Sequence, residues 1–138
     1  MDWDAVKTSF ADSGASCLVW REEGRASSAE RGIRPLLVWL REQPDFIRGA
    51  CVADKIVGRA AALLLAYGGA VQVYAETLSD GAAAVLEEQG IPYACGVRVP
   101  YIRNRENTGP CPMEQRVQKI VSPAEAYAAL SAAVFPGE

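Results

Sequence analysis

An almost entirely apolar stretch, residues 55–67, stands between two shorter apolar segments and constrains the fold more than any other part of the chain. It ends at Gly68-Gly69, a typical helix stop. A helix that is apolar on nearly all sides belongs inside a protein. The flanking segments, residues 47–53 and 71–75, have the small and β-branched residues of buried strands. We therefore expect a buried strand–helix–strand unit, with Gly58 and the alanines at 60–62 packed against the sheet.

The segments around this unit show the patterns of further helices and strands. Apolar residues at helical spacing predict an amphipathic helix over residues 3–12. Two short runs separated by Glu23-Gly24 predict a β-hairpin. The sequence Ser122-Pro123-Ala124-Glu125 is a capping box that opens a last helix. The remaining expected elements are helices over 32–40, 81–89 and 112–117, a strand over 93–102, and hairpin strands over 17–20 and 25–29.

This order of elements predicts an α/β fold. Strands that alternate with helices pair in parallel and are covered by helices. We expect a three-layer α/β/α sandwich with a mixed, mostly parallel sheet, formed by residues 1–138 as a single domain. In such sheets ligands bind beyond the carboxyl ends of the strands. Those ends are expected at residues 51–55, 77–80 and 103–114.

Composition and charge argue against several functional classes. The net charge is −3, without the basic excess typical of nucleic-acid-binding domains. No apolar run approaches the ~20 residues of a membrane span, and the acidic start, Met1-Asp2-Trp3-Asp4, is unlike a signal peptide. The four cysteines are scattered, and the chain has no histidine. We expect a cytoplasmic protein with reduced cysteines, of which Cys17, Cys51 and Cys95 are buried.

Asp54 and Lys55 fall where the buried strand is expected to meet the buried helix. Asp54 could simply cap that helix, but a cation in a first helical turn opposes the helix dipole. A lysine that is desolvated near a helix N-terminus has a lowered pKa and can act as a nucleophile or a base. Both a structural role and a ligand-binding or catalytic role are therefore open for this pair.

Two further segments supply candidate groups. Cys111 precedes a proline-initiated helix, where a thiolate can be stabilised. The alternative is a structural thiol, because no histidine is available as a base. Arg103, Asn104 and Arg105 follow the last strand, and guanidinium groups suit phosphate or carboxylate, although such charges are often solvated surface. Arg34, near a helix start, could join the same anion site.

Ser79 and Asp80 precede the helix over residues 81–89, with Asp80 as its expected N-cap. They follow the strand that is expected to lie beside the strand of Asp54. Because the carboxyl ends of neighbouring parallel strands lie close together, we expect one polar cleft there. Its expected members are Asp54, Lys55, Asp80, Asn104 and Arg105.

Three segments of the chain carry a resemblance to a known family. They are Gly32-Ile33-Arg34-Pro35-Leu36-Leu37, residues 52–62, and Asn104-Arg105 with Cys111-Pro112-Met113-Glu114. In these segments the chain resembles DUF1893, a small family of prokaryotic domains of unknown function assigned to the cytidine deaminase-like fold. The resemblance covers nearly the whole chain and implies that fold. It implies no activity, because the family has none assigned.

The resemblance to working deaminases is partial. Their first zinc motif, a histidine or cysteine followed by alanine and glutamate, corresponds to Val52-Ala53-Asp54. Their second, proline-cysteine-x-x-cysteine, falls on residues 79–83, where Asp80 and Ala83 replace the two thiolates. Val52 and Ala83 have no donor atom, whereas a catalytic zinc needs three protein ligands. We therefore expect no stoichiometric zinc.

The second motif has an alternative position at Pro110-Cys111-Pro112-Met113-Glu114, which puts Cys111 and Glu114 at the ligand positions. That match comes one strand too late in the chain order. It also leaves the histidine or cysteine partner absent, so a partial motif outside its context is weak support for a metal site.

The leading hypothesis from the sequence is a metal-free binder of a nucleotide or a related phosphorylated small molecule, without a cofactor. One alternative is a metal-independent enzyme that uses Lys55 and Asp54, with Cys111 as a possible participant. The other is a non-catalytic scaffold for protein interaction, and a homo-oligomer is compatible with each. The candidate ligand-binding residues are Asp54, Lys55, Ser79, Asp80, Arg103, Asn104, Arg105 and Glu114.

Overall fold

The computed structural model describes residues 2–30, 32–103, 108–109 and 111–137. The helices there are α1 (Trp3–Ser13), α2 (Arg34–Glu42), α3 (Arg59–Gly68), α4 (Asp80–Glu88), α5 (Pro112–Arg116) and α6 (Pro123–Val134). The strands are β1 (Cys17–Arg21), β2 (Gly24–Ser28), β3 (Cys51–Val57), β4 (Gln72–Ser79) and β5 (Tyr93–Val99). None of these helices is long and apolar enough to cross a lipid bilayer.

The five strands form one mixed sheet in the order β2-β1-β3-β4-β5. Strands β3, β4 and β5 run parallel, whereas β1 is antiparallel to both β2 and β3. The predicted α/β class and the predicted β1–β2 hairpin are confirmed. The sheet is less parallel than expected, because the hairpin strand β1 lies beside β3.

Apolar side chains cover both faces of the sheet. On one face, Val19 and Val52 belong to a large cluster with residues of α2, α3, α4 and α6. On the other face, Leu18 and Ala53 pack with Phe10 of α1. Neighbouring residues of a strand point to opposite faces, so each of these strands contributes to both clusters.

The boundary between β3 and α3 lies four residues later than the sequence predicted, at Arg59 instead of Lys55. Residues 55–57 continue β3, where Ile56 pairs with Thr77 and Val57 pairs with Leu78 of β4. The prediction was wrong because a continuous apolar run does not distinguish a buried strand from a buried helix. The β-branched side chains of Ile56 and Val57 favour the strand.

An irregularity crosses the three parallel strands. The residue pairing skips Lys55, Glu76 and Gly96, which stand at the same level of the sheet. The alternation of buried residues shifts here, because Val52 and Val57 are five positions apart yet belong to the same apolar cluster. Strictly alternating residues at that spacing would face opposite sides of the sheet.

Beyond this irregularity, a row of β-branched residues is exposed or partly exposed near the carboxyl ends of the strands. Ile56 of β3, Thr77 of β4 and Val97 of β5 are paired in register. Ile56 is 54% exposed and Val97 is 58% exposed. Strands lie about 5 Å apart, and residues in register share a face, so the three side chains form a continuous strip. We call Ile56, Thr77 and Val97 the strand-end row.

Gly96→Ala tests the irregularity. A Cβ at residue 96 would lie 2.8 Å from the backbone carbonyl oxygen of Glu76, so β4 and β5 would have to move apart. We expect the free energy of unfolding to fall by roughly 1–3 kcal/mol, measured by chemical denaturation. Gly109→Ala is the matched control, since a Cβ there meets nothing within 4 Å. Equal stability of the two variants would contradict this strand geometry.

Candidate functional site

Two strand–helix junctions form the edge of the sheet where the sequence placed the site. One joins β3 to α3 through Gly58, and the other joins β4 to α4 at Ser79. Because β3 and β4 are parallel neighbours, both helices begin at the same edge. First-turn amide groups and the helix dipole favour negative charge at such a place.

The first junction is occupied by a carboxylate of the protein itself. The backbone amide of Arg59 donates to Glu114 Oε1 at 2.7 Å, and that of Ala60 donates to Glu114 Oε2 at 2.8 Å. Burial raises the pKa of Glu114, although these amide hydrogen bonds act in the opposite direction. Glu114 thus satisfies the N-terminus of α3, where an anionic ligand would otherwise bind.

Gly58 makes room for this carboxylate. A Cβ at residue 58 would lie 2.3 Å from Glu114 Oε1 and 2.7 Å from Cγ1 of Ile102. The expected burial of Gly58 and of the alanines at 60–62 is confirmed. The expected reason is wrong for Gly58, because these close neighbours come from the segment that leads into α5 and from α5 itself.

The side chain of Arg59 donates hydrogen bonds to the backbone that follows α5. Its Nε donates to the carbonyl oxygen of Val117 at 3.0 Å, and its guanidinium group also donates to the carbonyl oxygen of Ile120. Sequence reasoning missed this residue. A charged residue directly after Gly58, at the start of an apolar helix, was the available signal.

At the second junction, Ser79 rather than Asp80 is the N-cap. Ser79 is buried, and its hydroxyl oxygen accepts a hydrogen bond from the amide of Ala82 at 3.0 Å. Asp80 is the first residue of α4 and pairs with Arg98 of β5 at 2.8 Å. The predicted cap at Asp80 is therefore wrong by one residue, and the Asp80 carboxylate is engaged by an arginine that the sequence analysis did not assign.

Asp54 lies inside β3 instead of at a helix start. It is in register with Cys17 of β1, whose thiol donates to its carboxylate. Burial raises the pKa of Asp54 from its ordinary value near 3.8 to about 7, although the amides of Ile56 and Lys55 and the Cys17 thiol act in the opposite direction. Burial, followed by the Asp54 charge, raises the pKa of Cys17 well above its usual range. This pair is a buried structural element rather than an open site.

Lys55 is exposed, in contrast to its neighbour Asp54. Its backbone amide donates to the carbonyl oxygen of Ser16 at 3.0 Å. Its side chain makes no ion pair with another residue of the described ranges. It stands at the level of Glu76, and Ser79 lies three residues, about 10 Å, further along β4. Asp54 is buried whereas Lys55 is exposed, and the expected closeness of Lys55 to Asp80 stays a prediction.

The structure describes two of the four remaining candidates, Cys111 and Arg103. Cys111 is partly buried and is the N-cap residue of the five-residue helix α5. Its amide donates to the carbonyl oxygen of Ile102 at 2.9 Å. Arg103 is exposed, with its guanidinium carbon 5.7 Å from the centre of the Tyr101 ring. Asn104 and Arg105 lie outside the described residues.

Two open depressions lie at the opposite end of β1 from Cys17. Arg21 and Phe46 line both, and the volumes are about 350 and 380 Å³. Arg21 is already engaged there, with the carbonyl oxygen of Asp45 at 2.6 Å and the carboxylate of Glu23 at 3.2 Å. Within the described ranges, no group of three or more cysteine, aspartate or glutamate side chains lies close enough together to hold a metal ion.

Comparison with known proteins identifies the family. Residues 5–134 match the family described as "Domain of unknown function (DUF1893)", TM1506. The chain belongs to the DUF1893 family. No curated protein sequence matches it. The crystal structure of a DUF1893 family protein (TM1506) from Thermotoga maritima superposes with a TM-score of 0.85. That similarity covers 95% of this chain and 88% of the other at 22% sequence identity, which establishes a shared fold.

Asp54→Asn tests the buried carboxyl group. Because its pKa is raised in the folded state, the stabilisation it contributes is complete below about pH 4 and is lost as pH rises through about 7. The difference between the ordinary value near 3.8 and the folded value of about 7 corresponds to about 4 kcal/mol. We expect wild-type stability to fall over this window relative to Asp54→Asn, measured by denaturation at several pH values. Asp12→Asn, at an exposed aspartate of α1, should follow the wild type.

Glu114→Ala tests the internal cap of α3. The variant leaves the amides of Arg59 and Ala60 without their acceptor, so we expect a loss of roughly 1–3 kcal/mol. Thermal and chemical denaturation would measure it, with Glu88→Ala, an exposed glutamate of α4, as the control. A loss no greater than that of the control would show that this contact does not stabilise the helix.

Proposed function

We propose that this DUF1893 chain is a metal-free, non-catalytic binding domain that acts by contact with another protein molecule. The observation that supports it is the strand-end row. Ile56 and Val97 are each more than half exposed, and they are joined in register through Thr77. Scattered exposed apolar residues are ordinary, whereas exposed apolar residues gathered in one place, here on either side of the partly exposed Thr77, are typical of interaction surfaces.

The internal contacts of the strand-end junctions support this proposal over catalysis. Glu114 takes the amides at the start of α3, and Arg98 engages Asp80 at the start of α4. An enzyme built on Asp54 and Lys55 would need the two side chains in one place, but the first is buried and the second is exposed. The groups predicted for chemistry are therefore used within the fold or are dispersed over it.

We further propose that the fold is a three-layer α/β/α sandwich related to cytidine deaminases, with a degenerate zinc site. Helices on both faces of the sheet support this, as do the neighbouring N-termini of α3 and α4 at the carboxyl ends of β3 and β4. The Glu114 carboxylate then stands at one of the two junctions where a deaminase carries its zinc ligands. Val52 and Ala83 offer no donor atom for a metal.

A nucleotide or related phosphorylated small molecule is the second candidate partner. Lys55, which makes no ion pair within the described residues, directly precedes Ile56 of the strand-end row. A planar base could cover the apolar side chains while the ammonium group meets a phosphate. Lys55 and Arg103 are the cations of the initial hypothesis that the structure describes, whereas Asn104 and Arg105 lie outside the described residues.

Site-specific photo-crosslinking tests the proposed function. A benzophenone side chain at position 56 should yield discrete protein adducts in cells that express the native chain, because the row is expected to lie inside an interface. The same group at Val71, also 54% exposed but at the opposite end of the sheet, is the control. Adducts at position 56 that exceed those at 71, and that disappear with Val97→Lys, are the expected result.

A ligand panel decides between the two candidates. Nucleotides and sugar phosphates are added to the purified chain, and the thermal unfolding midpoint is recorded. We expect no stabilisation that depends on Lys55. A saturable increase in the midpoint that is lost in Lys55→Met, together with no specific adducts at position 56, would overturn the protein-contact proposal and establish the small-molecule one.

A further inference from the structure

We infer that the β1–β2 hairpin is a pH-sensitive flap, which separates from β3 at its Cys17 end when Asp54 loses a proton. The hairpin stays attached to the rest of the protein at its Arg21 end. This inference goes beyond the proposed function, because it concerns a movement within the fold and does not depend on what contacts the strand-end row. The contacts at the two ends of β1 and the surroundings of Asp54 support it.

Ser16, at the Cys17 end of β1, is tied more firmly to β2 than to β3. Its amide donates to the carbonyl oxygen of Ser28 at 2.9 Å. Its hydroxyl donates to the carbonyl oxygens of Ser28 at 2.9 Å and Glu30 at 2.6 Å. Towards β3, the carbonyl oxygen of Ser16 accepts a hydrogen bond from the amide of Lys55 at 3.0 Å. When that hydrogen bond opens, Ser16 therefore moves together with β2.

The other end of β1 is held by Arg21. The guanidinium group of Arg21 donates to the backbone carbonyl oxygens of Asp45, at 2.6 Å, and of Phe46. Its central carbon lies 5.6 Å from the centre of the Phe46 ring, which adds a favourable cation–π contact. Segments of a protein open locally where few contacts hold them. The hairpin therefore opens at the Cys17 end while the Arg21 end acts as a hinge.

Asp54 faces the Cys17 end from β3. It is 9% exposed and is in register with Cys17, which is 3% exposed. The titratable groups that act on it in the described chain are the Cys17 thiol and, from β4, Glu76, whose negative charge opposes ionisation. The helices on the Cys17 side of the sheet contribute apolar side chains, and no lysine or arginine of the described ranges pairs with Asp54. A buried carboxylate without a cation is costly, and opening the flap hydrates it.

Opening of the flap consequently depends on pH. In the closed sheet, burial raises the pKa of Asp54 to about 7 from its ordinary value near 3.8, which the hydrated carboxyl group of the open form recovers. Because the closed form binds the proton more tightly than the open form, opening becomes more favourable as pH rises through this range. Between about pH 5 and about pH 8, the ratio of open to closed hairpin should rise by roughly a hundredfold.

Hydrogen exchange on the full-length chain, followed by NMR, tests the inference at two amides. After correction for intrinsic exchange, the amide of Lys55 should lose protection by roughly a hundredfold between about pH 5 and about pH 8. The amide of Ser16, which donates to Ser28 of β2, should keep its protection, because β1 and β2 move together. Asp54→Asn should remove the pH dependence at Lys55, whereas Asp12→Asn, at an exposed aspartate of α1, should retain it.

Thiol modification provides a second measurement. With N-ethylmaleimide at about pH 8 and peptide mapping, Cys17 should react faster relative to Cys51 in the wild type than in Asp54→Asn. Cys51 is the internal reference, because it is buried in the other apolar cluster of the same sheet. Removal of the Asp54 charge lowers the pKa of the Cys17 thiol. A purely electrostatic effect would therefore make the variant react faster, opposite to the result expected for the flap.

Three results would each overturn the inference. They are a protection of the Lys55 amide that does not change with pH, exchange of the Lys55 and Ser16 amides together, and a Cys17 thiol that reacts no faster than Cys51 in the wild type. All three are measured on the wild type, so they remain decisive for a variant that does not fold. None of them involves crosslinking at position 56, so failure of the flap and failure of the proposed function are distinguishable.

Discussion

The hydrogen bonds from the start of α3 to Glu114 join parts of the chain that are more than fifty residues apart. Helix α3 packs against α2, α4 and α6, so most of the helical layer depends on where its N-terminus is held. Four amides at a helix start lack partners within the helix, and Gly58 cannot supply a side-chain cap. A carboxylate from α5 provides acceptors, and Arg59 returns hydrogen bonds to the chain beyond α5.

This internal cap also determines what the strand-end edge can do. In open α/β sheets, that edge is where ligands meet helix N-termini. Here the Glu114 carboxylate accepts hydrogen bonds from the first amides of α3. At the start of α4, the hydroxyl oxygen of Ser79 accepts a hydrogen bond from the amide of Ala82. The strand-end row of Ile56, Thr77 and Val97 is exposed or partly exposed at the same edge, beside the exposed charges of Lys55 and of the Asp80–Arg98 pair. The edge therefore combines apolar and charged side chains, a mixture common in surfaces that contact other proteins.

The buried Asp54 has a raised pKa because of its place in the fold. Its raised pKa resembles that of a catalytic carboxyl group. Its partner, however, is the buried thiol of Cys17 on the neighbouring antiparallel strand. Asp54 also accepts a hydrogen bond from the amide of Ile56 at 3.4 Å, beside the place where strand pairing is interrupted. The Asp54 carboxylate thus supplies an acceptor for a backbone amide of its own strand.

Local signals predicted much of the fold. The β1–β2 hairpin, the helix after Trp3 and the capping box at Ser122 follow from contacts within a few residues, which a sequence pattern contains directly. The start of α3 was misplaced because the periodicity of a continuous apolar run does not show where a buried strand gives way to a buried helix, whereas pairing of Ile56 and Val57 with β4 does. That single error placed Asp54 and Lys55 at a helix start and brought them into one expected cleft.

The candidate site was predicted less well, because it depends on contacts between distant segments. The sequence alone determined the α/β class, the absence of histidine and the lack of donor atoms at Val52 and Ala83. Tertiary structure alone decided that Glu114 meets the amides of α3 and that Asp80 meets Arg98. Residue type and short-range spacing can be read directly from the sequence. The approach of remote side chains follows from strand order and register, which no local pattern specifies.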